Sequence, residues 1–263
     1  MHTWQWQTWN DLPYLTCSIL EPWKHGFFTQ QFYPRFPEDL TPVLQPTAVS
    51  YRVKQIHGSV IFTPTQVEMA NQSDVKPPEP PAADGLVTEQ ANQAVWVCSA
   101  DCTPVLIADT ETGQVAAVHA GWRGTAQKIV PEAIARLQSQ GSRLENLRIA
   151  LGPAIAGEVY QVSEQVAAQV GATIAPIDLS NLPNAIADLR QMPHSPVFDD
   201  PEPGRTRLDV RQVNALQLTQ LGISLDQIAI APHCTYQEPN SFFSYRRSRE
   251  KKAQWSGIVS REV

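Results

Sequence analysis

The sequence predicts a mixed α+β sandwich, in which clustered strands are flanked by helices. Three observations predict this class. Short, β-branched and mostly apolar runs follow one another in the middle of the chain, and segments with the apolar spacing of helices lie after them. Neither an internal repeat nor a heptad run occurs along the 263 residues. The order of the strands within a sheet does not follow from these patterns.

Three buried strands are predicted in the middle of the chain. The runs AVWVCSA (94–100), VLIAD (105–109) and QVAAVHA (114–120) are short and rich in β-branched residues. The sequence Thr-Glu-Thr-Gly at 110–113 is a turn that closes the second strand onto the third as a hairpin. The chain then passes through the turn GWRG into a helical segment.

A helix is predicted after this turn, with Gly141 as its C-cap. Pro131 would kink the interior of a helix, so we expect the helix to begin after Thr125. The apolar positions that keep helical spacing are Ile129, Val130, Ala133, Ile134 and Leu137.

The same patterns predict four more elements toward the C-terminal end. Each predicted helix carries a glycine after its apolar run, and the first of the two strands ends in a Gly-Pro turn. The strands are LRIALGPAI (147–155) and QIAIAPH (227–233), and the helices are SEQVAAQVGA (163–172) and DVRQVNALQLTQLG (209–222).

Two segments rich in proline and polar residues, 64–85 and 193–204, are predicted to be surface loops. Neither is long enough to mark a domain boundary, and a chain of this length can bury one large core. We therefore interpret residues 1–263 as a single domain.

Composition excludes several classes of protein. A hydrophobic fraction of 42% and a charged fraction of 17% are typical of a soluble globular protein. The net charge of −6 is spread without a basic block, so nucleic acid is not an expected partner. The N-terminal residues lack a basic segment followed by an apolar run, and no stretch of about 18 apolar residues occurs. We expect a cytoplasmic protein that does not associate with a membrane.

The four cysteines are widely scattered, and in a reducing compartment we expect no structural disulfide. Cys17, Cys98 and Cys234 are interpreted as small buried apolar side chains. Cys102 differs because it lies in the turn that enters the 105–109 strand. Its neighbours make it a candidate for chemistry.

Cys102 and His119 lie at the ends of neighbouring predicted strands, so both side chains can meet at one edge of a sheet. His57 is a candidate third ligand, since it follows a strand-like run and directly precedes a glycine. From spacing alone, a lone histidine in this position is more often a structural residue, because imidazole readily forms hydrogen bonds in turns. A set of two histidines and one cysteine suits Zn²⁺, and three protein ligands leave the fourth position open, as in catalytic zinc sites.

A set of motifs resembles the YfiH-type family, also called the laccase-domain or multicopper polyphenol oxidase family. The motifs come in the family's order and span about residues 50–250. The combination of VHAGWRG with DCTPVLIAD is highly specific. The six motifs are QIHG (55–58), ADGLVT (83–88), SADCTPVLIAD (99–109), VAAVHAGWRGT (115–125), LGPAI (151–155) and FFSYRR (242–247).

The resemblance implies a single-domain α/β/β/α layered sandwich with a zinc site, whose ligands map onto His57, Cys102 and His119. It also implies purine nucleoside phosphorylase activity, with adenosine deaminase and methylthioadenosine phosphorylase side activities. Purine nucleosides and inorganic phosphate are then the expected partners.

The chain departs from the family in two segments. Family members usually carry Thr-Arg followed by a Gly-rich, Asn-containing stretch near the N-terminus, whereas Thr29 is followed by Gln30 and the residues to Pro46 lack that pattern. The family often has cysteines after the Gly-Pro turn, where this chain reads AGEVYQV (156–162). The resemblance therefore leaves substrate contacts from these two segments unassigned.

Phosphorolysis requires an anion site, and the GWRG turn offers one. Its glycines let backbone N–H groups approach a phosphate, the following helix begins there, and Arg123 supplies a planar guanidinium. Arg123 is equally open to interpretation as a solvated loop residue. Arg246 and Arg247 form a second basic candidate after the aromatic run FFSY, and Arg52 is a further one.

Asp84 and Asp101 lie in motifs next to the proposed metal ligands and are predicted to carry protons, although an aspartate in a turn more often caps backbone N–H groups. Phe243 and Tyr245 could stack a nucleobase, although aromatic residues in such a run more often pack in the core.

Two alternative functions remain open from the sequence. The first is a copper oxidase of phenols, but a four-copper centre needs many histidines in His-x-His pairs, and this chain has 6 histidines and no such pair. At most a single copper could replace zinc. The second is a metal-free hydrolase with Cys102 as nucleophile and His119 as base. Family members linked to cell-wall quality control suggest peptidoglycan precursors as its substrates.

Overall fold

The computed structural model describes residues 2–71 and 79–263. In this part of the chain, the strands are β1 (Trp4–Trp9), β2 (Leu12–Cys17), β3 (His25–Phe28), β4 (Val49–Arg52), β5 (Ile61–Phe62), β6 (Gly85–Val87), β7 (Gln93–Ser99), β8 (Thr103–Asp109), β9 (Val115–Ala120), β10 (Leu147–Leu151), β11 (Gln161–Ser163), β12 (Val197–Phe198), β13 (Arg205–Leu208), β14 (Ile228–Ile230) and β15 (Gln254–Val259). The α-helices are α1 (Pro37–Leu44), α2 (Pro64–Asn71), α3 (Trp122–Ala126), α4 (Ile129–Ser139), α5 (Glu164–Gly171), α6 (Leu182–Gln191), α7 (Val210–Gln220) and α8 (Tyr245–Ser248).

The strands form two large sheets and one small one. The first sheet has the order β1-β2-β3-β15-β7-β4, and the second has the order β14-β10-β8-β9-β6-β5. Most neighbours are antiparallel, whereas β4 runs parallel to β7, β5 to β6, and β14 to β10. A third sheet, β11-β13-β12, is packed with α5 and α6.

The two large sheets pack face to face, and helices cover their outer faces. Leu15, Phe27 and Val95 of the first sheet share one core with Leu106 and Ala117 of the second. Burial of these side chains excludes water from both inner faces. Each of the larger ones stabilises the fold by about 1.5–3 kcal/mol. This arrangement is the basis of the layered sandwich.

The outer helix layers complete an α/β/β/α sandwich. Leu40 of α1 packs on the outer face of the first sheet with Trp96. Ile134 of α4 and Leu218 of α7 pack on the outer face of the second sheet with Ile107. The predicted α+β class and its α/β/β/α layers are therefore confirmed.

The central predictions are confirmed with small shifts of boundary. Strands β7, β8 and β9 lie at the predicted positions, and Gly113 closes the turn between the last two with φ +70. Strands β10 and β14 and helices α5 and α7 also form, each shorter than predicted. All five apolar positions predicted for α4 are buried.

The segment after β9 differs from the prediction in one respect. The expected turn GWRG lies largely within a short helix, α3, and Lys128 with φ 57 separates α3 from α4. Pro131 consequently falls in the first turn of α4, where its missing N–H costs no hydrogen bond. The expected start after Thr125 thus holds for α4. Gly141, with φ +104, lies just beyond the C-cap Gln140 and ends the helix.

The loop predictions are wrong in part. Residues 64–71 form α2, because Thr63 and Gln66 exchange side-chain to backbone hydrogen bonds in a capping box that starts the helix at Pro64. Residues 72–78 of the predicted loop lie outside the described residues. The predicted loop 193–204 contains strand β12, which pairs with β13.

Among the described residues, no helix is long and apolar enough to cross a membrane.

Candidate functional site

Three side chains meet where the ends of the two large sheets come together. His57 lies in the loop after β4 of the first sheet, Cys102 in the turn between β7 and β8, and His119 near the end of β9. Pairing of Pro104 with His119 across β8 and β9 sets the register that brings Cys102 to the end of β9. The potential ligand atoms of the three residues all lie within 4.8 Å of one another. The three form a group that could hold a metal ion, and we call it the His-Cys-His group.

Asp84 fixes the orientation of His119. Its carboxylate is fully buried and accepts a hydrogen bond of 2.9 Å from Nδ1 of His119. This bond leaves Nε2 of His119 free to bind a metal, and buried carboxylates hold zinc-binding histidines in this way. Burial alone would raise the pKa of Asp84, but hydrogen bonds from His119 and from the Gly58 backbone, with the charge of His119, hold it below its usual value.

The same carboxylate shapes the loop that carries His57. It accepts backbone N–H groups of Ile56 at 3.2 Å, His57 at 2.8 Å and Gly58 at 2.7 Å. His57 has a left-handed backbone with φ 61, and its side chain is exposed. One aspartate therefore positions two members of the His-Cys-His group, although they come from different sheets.

Cys102 has the character of a thiolate. Burial would raise the pKa of its thiol, but the charge of His119 and hydrogen bonds with His119 and His57 outweigh burial and lower it to about 6. Burial likewise would lower the pKa of His119, while the Cys102 charge and the hydrogen bond with Asp84 raise it to about 9. Cys98 is different, since burial raises its pKa to about 11. Of these two cysteines, only Cys102 is ionised near neutral pH.

Gly121 is required by close packing against this group. A Cβ atom at position 121 would lie 2.8 Å from Sγ of Cys102 and 3.4 Å from Cδ2 of His57. Any larger residue would push the thiolate or the imidazole from its place, so glycine here maintains the geometry of the group.

A small cavity of about 20 Å³ opens beside Cys102, which is space on the scale of one water molecule. Two of the residues that line it are aromatic, and the guanidinium group of an arginine lies over each of their rings. Arg123 lies over the ring of Trp122 at 4.4 Å, and Arg246 lies over the ring of Tyr160 at 4.8 Å. The residues that line the cavity are Asp101, Cys102, Ala120, Gly121, Trp122, Ile155, Tyr160 and Val210.

The two arginines at the cavity differ from the other predicted basic residues. Arg123 is exposed, and its guanidinium group has no hydrogen-bond or ion-pair partner in the described part of the chain. Arg52 is ion-paired with Glu38 at 3.0 Å, and Arg247 donates to three backbone carbonyl groups. Arg123 and Arg246, which we call the arginine pair, are therefore the basic groups placed to meet an anion at this site.

Asp101 connects the cavity to α8. It has φ 93, and its carboxylate accepts hydrogen bonds from Oγ1 of Thr235 at 2.9 Å and from the backbone N–H of Arg246 at 2.7 Å. Arg246 is therefore tied directly to the turn that carries Cys102. Tyr245 is exposed, and Phe243 packs edge-on against Tyr33.

Sequence patterns missed several supporting residues. Tyr160 lies in the segment where the chain departs from the family motif, so no motif marked it. Asn214 and Gln217 are buried on α7 and donate to Oγ1 and to the backbone carbonyl of Thr125 in α3, at 3.1 and 2.9 Å. Their spacing of three residues, continued by buried Arg211, is a polar stripe on a helix face that is otherwise apolar. This polar stripe is the sequence signal that could have identified Asn214 and Gln217 as supporting residues.

The fold and the site define a class of α/β/β/α sandwich proteins with a His-Cys-His group at the meeting edge of two sheets. The family model described as "multi-copper polyphenol oxidoreductase laccase" matches residues 40–261. The chain belongs to this family, and the predicted YfiH-type resemblance is confirmed.

Relatives with known names support this assignment. The chain is 51% identical to a purine nucleoside phosphorylase of Synechocystis sp., over 98% of this chain and 97% of that protein. It is 30% identical to an adenosine deaminase from an unknown prokaryotic organism, over 62% of this chain and 56% of that protein. The crystal structure of YlmD from Geobacillus stearothermophilus matches with a TM-score of 0.80 and 25% identity, covering 98% of this chain and 99% of that chain. YfiH of Bacillus licheniformis shares the fold, with a TM-score of 0.75 and 24% identity over 95% and 96% of the chains.

Proposed function

We propose that this protein is a zinc-dependent purine nucleoside phosphorylase, with adenosine deaminase and methylthioadenosine phosphorylase side activities. The observation that carries the proposal is the His-Cys-His group beside a cavity flanked by the arginine pair. Nearly full-length similarity to a relative named purine nucleoside phosphorylase supports the same reaction. The expected substrates are purine nucleosides and inorganic phosphate, which are cytoplasmic metabolites.

The donor set fits zinc. Typical bonds of about 2.0–2.1 Å to imidazole and about 2.3 Å to thiolate place tetrahedral ligand atoms about 3.3–3.7 Å apart. The ligand atoms of His57, Cys102 and His119 fall within a separation of 4.8 Å, and Asp84 supplies the carboxylate that zinc-binding histidines commonly contact. When bound, zinc would supply a Lewis acid in this site. The same donors would also accept a single copper ion.

The chain's own residues support phosphorolysis by holding the anion. In this reaction an oxygen of phosphate forms a bond to C1′ of the ribose while the C1′–N9 bond breaks. The electron pair of that bond leaves with the purine, which takes up a proton from solvent. Arg123 and Arg246 bear positive charge beside the cavity and would orient the phosphate through charge-assisted hydrogen bonds.

The contacts of Asp84 and Asp101 favour a positioning role over the proton-carrying role expected from the sequence. Asp84 accepts four hydrogen bonds, three from backbone and one from His119. Asp101 has a partner on each carboxylate oxygen. A carboxylate that is held in this way serves to orient its partners, so we assign both residues to positioning the site.

A cysteine hydrolase is the second candidate, and one observation favours it. The thiolate of Cys102 and the protonated His119 form the kind of pair that activates a cysteine nucleophile. Under this alternative no metal would be needed, and substrates such as peptidoglycan precursors would replace nucleosides. The third member of the group, His57, has no role in such a pair.

Metal analysis coupled to a substrate screen separates the candidates. The purified protein should contain about one zinc per chain and should cleave inosine, adenosine or methylthioadenosine in a reaction that requires phosphate. Deamination of adenosine should proceed without phosphate. A metal-free protein with hydrolase activity that thiol alkylation abolishes would refute the proposal in favour of the cysteine hydrolase.

A further inference from the structure

Tyr160 is held rigidly at the wall of the cavity. Its backbone N–H donates to the carbonyl of Gly157 at 3.2 Å, and its carbonyl accepts from the N–H of Leu208 at 3.1 Å. Its side chain lines the cavity together with Cys102 and Asp101. Hydrogen bonds therefore hold the backbone of Tyr160 through both its N–H and its carbonyl group.

Arg246 is held on the face of that ring by hydrogen bonds from both its backbone and its guanidinium group. Its backbone N–H donates to Asp101, and Nη1 of its side chain donates to the carbonyl of Gln161 at 2.8 Å. The guanidinium lies 4.8 Å from the ring centroid of Tyr160, within range of a cation–π interaction. The other guanidinium N–H groups form no hydrogen bond with any described residue, so they are available to a ligand.

The hydroxyl group of Tyr160 is also available. It forms no hydrogen bond within residues 2–71 and 79–263. Burial, together with the charges of Cys102 and Asp101, raises the pKa of Tyr160 to about 12 against the opposing charges of Arg246 and Arg123. The hydroxyl therefore keeps its proton at neutral pH and can donate a hydrogen bond.

We propose that Tyr160 contacts the phosphate substrate directly, its hydroxyl donating a hydrogen bond to the anion that Arg123 and Arg246 hold, while its ring keeps Arg246 in place. This inference rests on the proposed function and assigns the two substrates to different sides of the His-Cys-His group. Phosphate binds outside the small cavity beside Cys102, at its mouth, because the cavity itself has room for only about one water molecule. The nucleoside occupies the open side at the exposed His57.

The charges around the cavity support this assignment of sides. The guanidinium groups of Arg123 and Arg246 lie over the rings of Trp122 and Tyr160, which line the cavity beside Cys102. The nearby carboxylate of Asp101 already has a partner on each oxygen. A dianion gains from two cations and a neutral donor, whereas an uncharged purine gains little from them. The hydroxyl of Tyr160 adds a donor without adding charge.

The test compares Tyr160→Phe with Tyr245→Phe. The control is well matched, because Tyr245 is an exposed tyrosine whose ring also lies beneath a guanidinium, that of Arg249 at 5.8 Å. Tyr160→Phe should raise KM for phosphate by roughly 10- to 100-fold, with kcat at saturating phosphate within about 2-fold. Zinc content and phosphate-independent deamination of adenosine should not change. Tyr245→Phe should leave all of these quantities at the wild-type level.

A second variant and a direct binding measurement complete the test. Tyr160→Leu also removes the ring beneath Arg246 and should weaken phosphate binding further than Tyr160→Phe. Calorimetric titration of the zinc-loaded protein with inorganic phosphate should show the same order of affinity without any nucleoside present.

The inference is overturned if the wild type catalyses phosphorolysis and Tyr160→Phe keeps its KM for phosphate, an outcome that leaves the proposed function intact. Equal loss of phosphorolysis and deamination in Tyr160→Phe would also overturn it, because the hydroxyl would then act on the nucleoside or the metal. A wild type that neither binds phosphate nor uses it would refute the proposed function and the inference together.

Discussion

Replacement of Arg123 by glutamine tests whether the exposed guanidinium beside the cavity binds phosphate. The side chain lies over Trp122 and has no polar partner in the described part of the protein, so the substitution breaks no internal hydrogen bond or ion pair. Its loss removes charge-assisted hydrogen bonds to phosphate of about 1.5–3 kcal/mol. Since about 1.4 kcal/mol corresponds to a factor of ten, phosphorolysis should fall by roughly 10- to 150-fold.

Deamination supplies the internal control, because it uses the nucleoside but not phosphate. Steady-state assays of inosine phosphorolysis and adenosine deamination on one preparation should show a large loss in the first reaction and a small loss in the second. Arg143→Gln, which changes an exposed arginine with a long 3.6 Å ion pair to Glu145, controls for the change in net charge. Equal loss of both activities with zinc retained would refute the reasoning. A comparable loss of phosphorolysis in Arg52→Gln would move the phosphate site toward Arg52.

Three further predictions concern the His-Cys-His group. His57→Ala, Cys102→Ala and His119→Ala should each remove most bound zinc and nearly all activity while circular dichroism stays native; full zinc occupancy in the His57 variant would remove that residue from the site. Asp84→Asn should weaken zinc affinity by roughly 10- to 100-fold, measured by chelator competition, because the carboxylate no longer orients His119; unchanged affinity would contradict this role. In metal-free protein, the rate of Cys102 alkylation, followed by mass spectrometry, should rise with a midpoint near pH 6, since its pKa is lowered to about 6, while Cys98 stays protonated until about pH 11; faster alkylation of Cys98 at pH 7 would contradict the assignment.

The same two titrating groups make the stability of the metal-free protein depend on pH in opposite directions. The lowered pKa of Cys102 contributes stability that is fully present above the usual thiol value of 9.0 and is lost as pH falls through about 6. The raised pKa of His119 contributes stability that is fully present below 6.5 and is lost as pH rises through about 9. Their pairing is therefore strongest between about pH 6 and 9.

Local sequence patterns predicted the centre of the fold because its burial is complete. Strands β8 and β9 are buried along their whole length, so their apolar runs carried a clear signal. The position of β15 between β3 and β7 could not be predicted, since pairing between the end of the chain and its beginning leaves no local pattern. Helix α3 was missed for another reason, because its short glycine-containing segment is stabilised from outside by Asn214 and Gln217.

The candidate site was predictable only in part. Strand ends placed Cys102 and His119 near each other, while His57 needed the family motif, because a histidine before a glycine is ambiguous in isolation. The pairing of Asp84 with His119 depends on the register of β6 against β9, which no spacing in the sequence defines. Tyr160 meets the site through the packing of the third sheet beside α8, and such packing has no signature in the sequence.

His57, Cys102 and His119 come from separate parts of the fold, and this determines when the proposed metal could be captured during folding. The loop after β4, the turn before β8 and the end of β9 meet only after both sheets have formed and packed. Loop closure over such sequence distances is slow compared with the formation of a local hairpin. The proposed zinc would therefore not nucleate the folding of this chain as zinc does in a zinc finger, whose ligands are close in sequence. In a refolding experiment, we expect zinc uptake to accompany the last step of assembly. The time course of zinc uptake would therefore report when the sandwich is complete.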